Sequence, residues 1–225
     1  MDAMVEQRIR TLFSEYPQVL YGFTDIAYSP YAEEYKSALV FAAPYGEQLT
    51  IHTYTEERFE KGIQTAKKKL EEILAQLETI LREEGVSYWI PPVAQKNEVD
   101  LLAPFSFKFA AVNAGLGWIG KNDVVITREY GPRVRLSAVL IDEQFPYGPK
   151  IIKSNCPDNC QKCVDVCPHK ALRNVRWNMG SARGEIIDYH LCNEKRSLFL
   201  AKHGRKNACG LCLAVCPFGK PSVCP

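Results

Sequence analysis

The chain has 225 residues, 46% of them hydrophobic and 11% aromatic, enough to bury a core in one large domain or in a medium domain with a smaller companion. Its 28 Lys and Arg nearly balance its 26 Asp and Glu, so the formal charge of +2 gives no support for a generic nucleic-acid binder. No run approaches the ~20 apolar residues of a membrane span, and the opening Met1-Asp2-Ala3-Met4-Val5-Glu6 does not read as a signal peptide, so the expectation is a cytoplasmic protein with no membrane partner.

In chain order, Ser37 to Ala43 reads as a buried strand that ends at the turn Pro44-Tyr45-Gly46. Glu56 to Glu84 reads as a long helix, with Thr55 as its N-cap and Gly85 as its stop. Phe59, Ile63, Ala66, Leu70, Ile73, Leu74, Leu77, Ile80 and Leu81 share one face of it, which leaves Lys67, Lys68 and Lys69 to solvent. Val86 to Ile90 reads as a short strand closed by Pro91-Pro92, and Pro104 to Ala114 as a helix. Asp123–Thr127 and Val134–Ile141 are β-rich and flank Tyr130-Gly131-Pro132, which predicts a hairpin. The expected architecture is α+β: an N-terminal domain with a mixed or mainly antiparallel sheet over 1–150, then a bacterial ferredoxin-type module over 151–225.

That module follows from cysteine spacing. Cys156, Cys160, Cys163 and Cys167 precede Pro168, while Cys209, Cys212 and Cys216 precede Pro217, with Cys192 upstream. A [4Fe–4S] cubane needs four soft thiolates, and in two-cluster ferredoxins the last cysteine of each run reaches the other cluster. This crossed logic predicts cluster I on Cys156, Cys160, Cys163 and Cys216, and cluster II on Cys192, Cys209, Cys212 and Cys167. Cys224 is left over. A pair of zinc sites is the competing reading of the same spacing, and the twin Cys-Pro endings argue against it. Two clusters, each about −2 with their thiolates, would bring the net charge to about −2. None of His52, His169, His190 and His203 has a metal-pair spacing.

Between the two parts lies Gly115-Leu116-Gly117-Trp118-Ile119-Gly120-Lys121-Asn122, whose glycines permit close backbone approach to a ligand. It has neither Walker nor dinucleotide spacing. This loop, the following ITREYG stretch and both cysteine arrays together resemble epoxyqueuosine reductases and the related reductive dehalogenases. The resemblance implies a cobalamin-dependent reductase whose clusters pass electrons to cobalt, with cobalamin contacts at Gly115, Gly117, Trp118, Gly120, Lys121, Asn122 and Gly131. Trp118 would cover the flat macrocycle, and no His would lie beneath cobalt. Asp100, one position off the family's acidic residue, and Tyr130 are the expected proton donors. The family's C-terminal helical-repeat region is expected to be missing. An external low-potential electron donor and a small-molecule or tRNA substrate are the expected partners. Lys195, Arg196, Lys202, Arg205 and Lys206 form a basic patch suited to RNA. A non-catalytic two-cluster electron carrier, or a corrinoid-reducing partner protein, is the alternative.

Overall fold

The computed structural model describes residues 2–46, 49–92, 103–197 and 209–219. Its chain divides into two compact units that interleave along the sequence. The first comprises Met1–Pro44, Thr65–Leu116 and Arg135–Ile151, and the second Tyr45–Gln64, Gly117–Val134 and Ile152–Pro225. The last crossing, at 151/152, lies one residue from the expected boundary. Two earlier segments, 45–64 and 117–134, belong to the second unit although they precede that boundary.

The first unit is built around a four-stranded sheet ordered β1-β2-β6-β3. Strand β1 (Leu20–Asp25) pairs antiparallel with β2 (Ser37–Pro44), in a register running from Leu20 opposite Ala42 to Asp25 opposite Ser37. Every residue of β2 from Ser37 to Ala43 is buried, which explains why it is apolar throughout and does not alternate. Strand β3 (Tyr88–Trp89) lies antiparallel to β6 (Val134–Ile141). Lys36 N–H bonds the Ile141 carbonyl at 3.1 Å and Tyr45 N–H that of Arg133 at 3.0 Å, so β2 and β6 also run antiparallel.

Helix α1 (Asp2–Ser14) buries Val5, Ile9, Leu12 and Phe13, a spacing that keeps one face on the core. Phe13 stacks on Tyr21 and meets Phe41 edge-on. Helix α2 (Glu56–Glu83) contributes residues 56–64 to the second unit and 65–83 to the first. Thr55 Oγ1 accepts the Arg58 N–H at 3.1 Å, so the expected N-cap is formed. At the other end Gly85, with φ +68, lets the Val86 N–H reach the Leu81 carbonyl at 2.9 Å. Phe59, Ile63, Ala66, Leu70, Ile73, Leu77 and Leu81 are buried, each contributing up to about 1.5–3 kcal/mol for the larger side chains. Helix α3 (Phe107–Asn113) starts later than the sequence suggests, because Ser106 Oγ accepts the Phe109 N–H and fixes the first turn there.

The predicted hairpin between 123–127 and 134–141 does not form. Strand β5 (Val125–Ile126) pairs instead with β4 (Trp118–Ile119), while Thr127 and Gly131 exchange backbone hydrogen bonds of 2.9 and 3.0 Å and close a local turn. Pro132 offers no N–H with which to extend that ladder. The apolar β6 is buried from Ser137 to Ile141, and an inner position in the larger sheet covers it on both edges.

Beyond β4 and β5, the described residues of the second unit include the short helices α4 (Lys162–Val166), α5 (Arg183–Ile186), α6 (Tyr189–Ser197) and α7 (Leu211–Ala214). Isolated bridges join Lys153 to Asn178 and Leu172 to Ile187. Leu49, Phe59, Ile63, Leu213 and Ala214 form one small core there, and Ala171, Leu172 and Ile187 another.

Candidate metal centres

All eight cysteines predicted as cluster ligands are described, and all lie in the second unit. They fall into two neighbourhoods, with Cys163 bordering both. Cys156, Cys160, Cys163 and Cys216 line one cavity. Cys212 is surrounded electrostatically by Cys209, Cys192, Cys163 and Cys167, and Cys163, Cys167, Cys192 and Cys212 all pack on the small core around Leu172. Each array therefore sends its last cysteine toward the other array's set.

Local backbone chemistry produces this exchange. Helix α4 opens with Val164 and Asp165 N–H groups on the Gln161 carbonyl, both at 2.9 Å, and stops at Cys167. Because Pro168 follows, Cys167 is driven out of the helical region to φ −66, ψ 109. Cys216 is placed similarly, between the C-cap of α7 and Pro217. Gly210 begins α7 at φ +70, against the Phe59 ring. Tyr54 on the 45–64 segment donates its hydroxyl to the Cys209 carbonyl.

The thiols are desolvated. Burial pushes Cys163 up to about 12, with Cys156, Cys216 and Cys160 adding to the rise. Burial likewise lifts Cys216 to about 11, against a backbone hydrogen bond and the Arg133 charge, and raises Cys212 well above its ordinary value. Clusters of thiols that resist ionisation individually are suited to a polycation that compensates four thiolates at once.

The segment 117–134 binds the cysteine loops together. Lys121 is 3% exposed, and its Nζ donates to the carbonyls of Asp158 at 3.0 Å and Cys160 at 2.9 Å. Asn122 Nδ2 donates to the Cys212 carbonyl at 3.3 Å. Asp123 accepts Arg183 Nε at 3.2 Å, anchoring the start of α5. Arg133, also 3% exposed, donates from Nη1 to the carbonyls of Leu213 (3.0 Å) and Cys216 (3.2 Å), and from Nη2 to that of Phe218. Sequence reasoning missed Arg133, Asp123, Arg183 and Tyr54; the signal for Arg133 was a charge directly before a mostly apolar strand.

The residues expected to contact cobalamin have internal partners. Trp118 is 2% exposed and lies edge-on to Phe218 at 4.9 Å, so it covers protein rather than an open flat surface. A Cβ on Gly117 would overlap the Ile126 carbonyl oxygen, and one on Gly131, at φ +60, the Phe218 carbonyl oxygen. Gly120 packs under the Ile126 side chain, and Gly115 ends α3 in the first unit. In this arrangement Gly117, Gly120 and Gly131 are approached by groups of the chain itself, while Trp118 Nε1 and Asn122 Oδ1 are buried without partners among the described residues. Tyr130 takes part in the 127–131 turn through its N–H on Thr127 Oγ1, and burial raises its phenol pKa, helped by Glu129. Asp100, Cys224 and the basic residues Lys202, Arg205 and Lys206 lie outside the described residues, as do the side chains of Lys195 and Arg196.

Residues 155–219 match the family model of a 4Fe–4S double cluster binding domain. Among curated proteins, an epoxyqueuosine reductase of Listeria monocytogenes is 33% identical over 67% of this chain and 38% of its own length. A tetrachloroethene reductive dehalogenase of Desulfitobacterium hafniense is 29% identical over 66% of this chain and 27% of its own. The matched part thus spans well under half of either relative. Among solved structures, epoxyqueuosine reductase with an epoxyqueuosine-modified tRNA stem loop has a TM-score of 0.62 at 19% identity, covering 96% of this chain and 66% of that one. A reductive dehalogenase structure said to suggest a mechanism for B12-dependent dehalogenation has a TM-score of 0.64 at 16% identity, covering 95% and 31%. The fold and these likenesses agree: the chain is similar to epoxyqueuosine reductases and reductive dehalogenases, and its residues 155–219 match a 4Fe–4S double cluster binding domain.

Proposed function

We propose that the chain is an iron–sulfur reductase that carries single electrons from an external low-potential donor through two [4Fe–4S] clusters to cobalamin. The observation that carries this reading is that Cys156, Cys160, Cys163 and Cys216 line one cavity while Cys209, Cys192 and Cys167 lie around Cys212, with Cys163 bordering both, which supports two sets of four. Thiolates of these sets hold the cubanes, and the 117–134 segment keeps their loops in place. Cobalamin, when bound, supplies a cobalt centre that accepts electrons one at a time. The B12-dependent dehalogenation named for one structural relative supports it as acceptor, and the tRNA stem loop bound to another supports an RNA substrate beside small molecules. Tyr130 stays protonated at neutral pH, which fits a proton donor, and Asp100 is the second candidate.

The internal engagement of the 115–122 loop favours a second reading, a two-cluster electron carrier or corrinoid-reducing partner protein. Titrating anaerobic, cluster-loaded protein with cobalamin separates the two. The reductase reading expects retention and a corrinoid spectral shift; neither appearing by ~100 µM leaves the carrier reading.

A further inference from the structure

Two cations are buried beside the first cysteine set and bond backbone carbonyls rather than carboxylates among the described residues. Lys121 grips the loop carrying Cys160, and Arg133 the segment carrying Cys216, from opposite ends of one 117–134 stretch. Burying an ammonium and a guanidinium with only dipoles for company is costly, and a chain gains from it when a compensating anion shares the site. Lys121 lines the cavity of Cys156, Cys160, Cys163 and Cys216, and the Arg133 charge is felt at the Cys216 thiol. A [4Fe–4S] cluster with four thiolates is such an anion, and it gains one more negative charge on reduction.

We infer that Lys121 and Arg133 are positioning residues that hold the two loops of cluster I and raise its reduction potential by stabilising the reduced cluster. The step is a one-electron reduction: the external donor loses one electron, the cluster core goes from 2+ to 1+, and no proton moves because both cations keep their charge. Asn122 bonds the Cys212 loop of the other set through a neutral amide, so the effect is specific to one cluster. This inference rests on the cluster reading of the cysteine sets given above.

The test is a redox titration of anaerobic holoprotein followed by electron paramagnetic resonance, with iron and sulfide measured on each sample. Lys121→Met and Arg133→Met are expected to lower the potential of one cluster by about tenfold in the reduction equilibrium, 59 mV for one electron, leaving the other in place. Lys121→Arg and Arg133→Lys should restore most of it. Should the Met variants shed iron, Lys121→Gln serves instead: it keeps a hydrogen-bond donor and removes the charge, so a purely structural role predicts the native potential and a charge effect predicts the drop. Unmoved potentials in loaded variants, or equal shifts of both clusters, would overturn the inference while leaving the cluster reading intact. Native protein without two clusters would instead reject the reading beneath it.

Discussion

Gly131 approaches Phe218 so closely that a methyl group on its α-carbon would overlap the Phe218 carbonyl oxygen, and its φ of +60 is itself unfavourable for any residue with a side chain. The turn after Thr127 and the segment after Cys216 are thereby locked together. Gly131→Ala is expected to cost more than about 2 kcal/mol in denaturant unfolding of the holoprotein. Gly184→Ala, where an added Cβ meets nothing within 4 Å inside a short helix, should be neutral or stabilising by up to about 1 kcal/mol. Equal effects at the two positions would refute the close approach.

Single ligand removal should follow the crossed sets rather than the sequence order. Cys167→Ser should damage the same cluster as Cys209→Ser, and Cys216→Ser the same one as Cys160→Ser, as read by which paramagnetic signal of the reduced protein disappears. A pattern in which Cys167 groups with Cys160 would contradict the exchange produced at the two Cys-Pro steps.

In the metal-free chain the desolvated thiols should ionise late. Cys216 and Cys163 are held at about 11 and about 12 against an ordinary 9, so iodoacetamide at pH 8.5 should alkylate them more slowly in the folded than in the denatured chain. The folded state binds these protons more tightly than the unfolded one. Their contribution to apo-protein stability is therefore fully present below pH 9 and falls as the pH rises toward 11–12. Rising apo stability across that range, measured by chemical denaturation, would show the opposite sign.

The strongest local signals were readable without coordinates. The seven-residue buried run of β2, the one-sided apolar pattern of α2 with Thr55 and Gly85 at its ends, and the Cys-Pro steps each depend on neighbours in sequence. The first helix is legible too, in the spacing of Val5, Ile9, Leu12 and Phe13. What stayed hidden depends on long-range pairing. Nothing local says that β5 takes β4 as its partner, that 45–64 supplies Phe59 beneath α7, or that Lys121 is buried on carbonyls 37 and 39 residues away. The glycine-rich loop drew a ligand-binding reading because glycines mark close approach; in the structure the approaching groups are Ile126 and Phe218 of the same chain.

The central claim is that eight cysteines in two crossed sets hold two [4Fe–4S] clusters. Its most direct test is iron and acid-labile sulfide determination on anaerobically reconstituted protein, with the reduced sample examined by electron paramagnetic resonance before and after Cys216→Ser. The account predicts roughly eight iron and eight sulfide per chain, falling to about four of each in the variant, with one signal lost and the other retained. About two metal ions per chain with no labile sulfide, the composition of paired zinc sites, would contradict it.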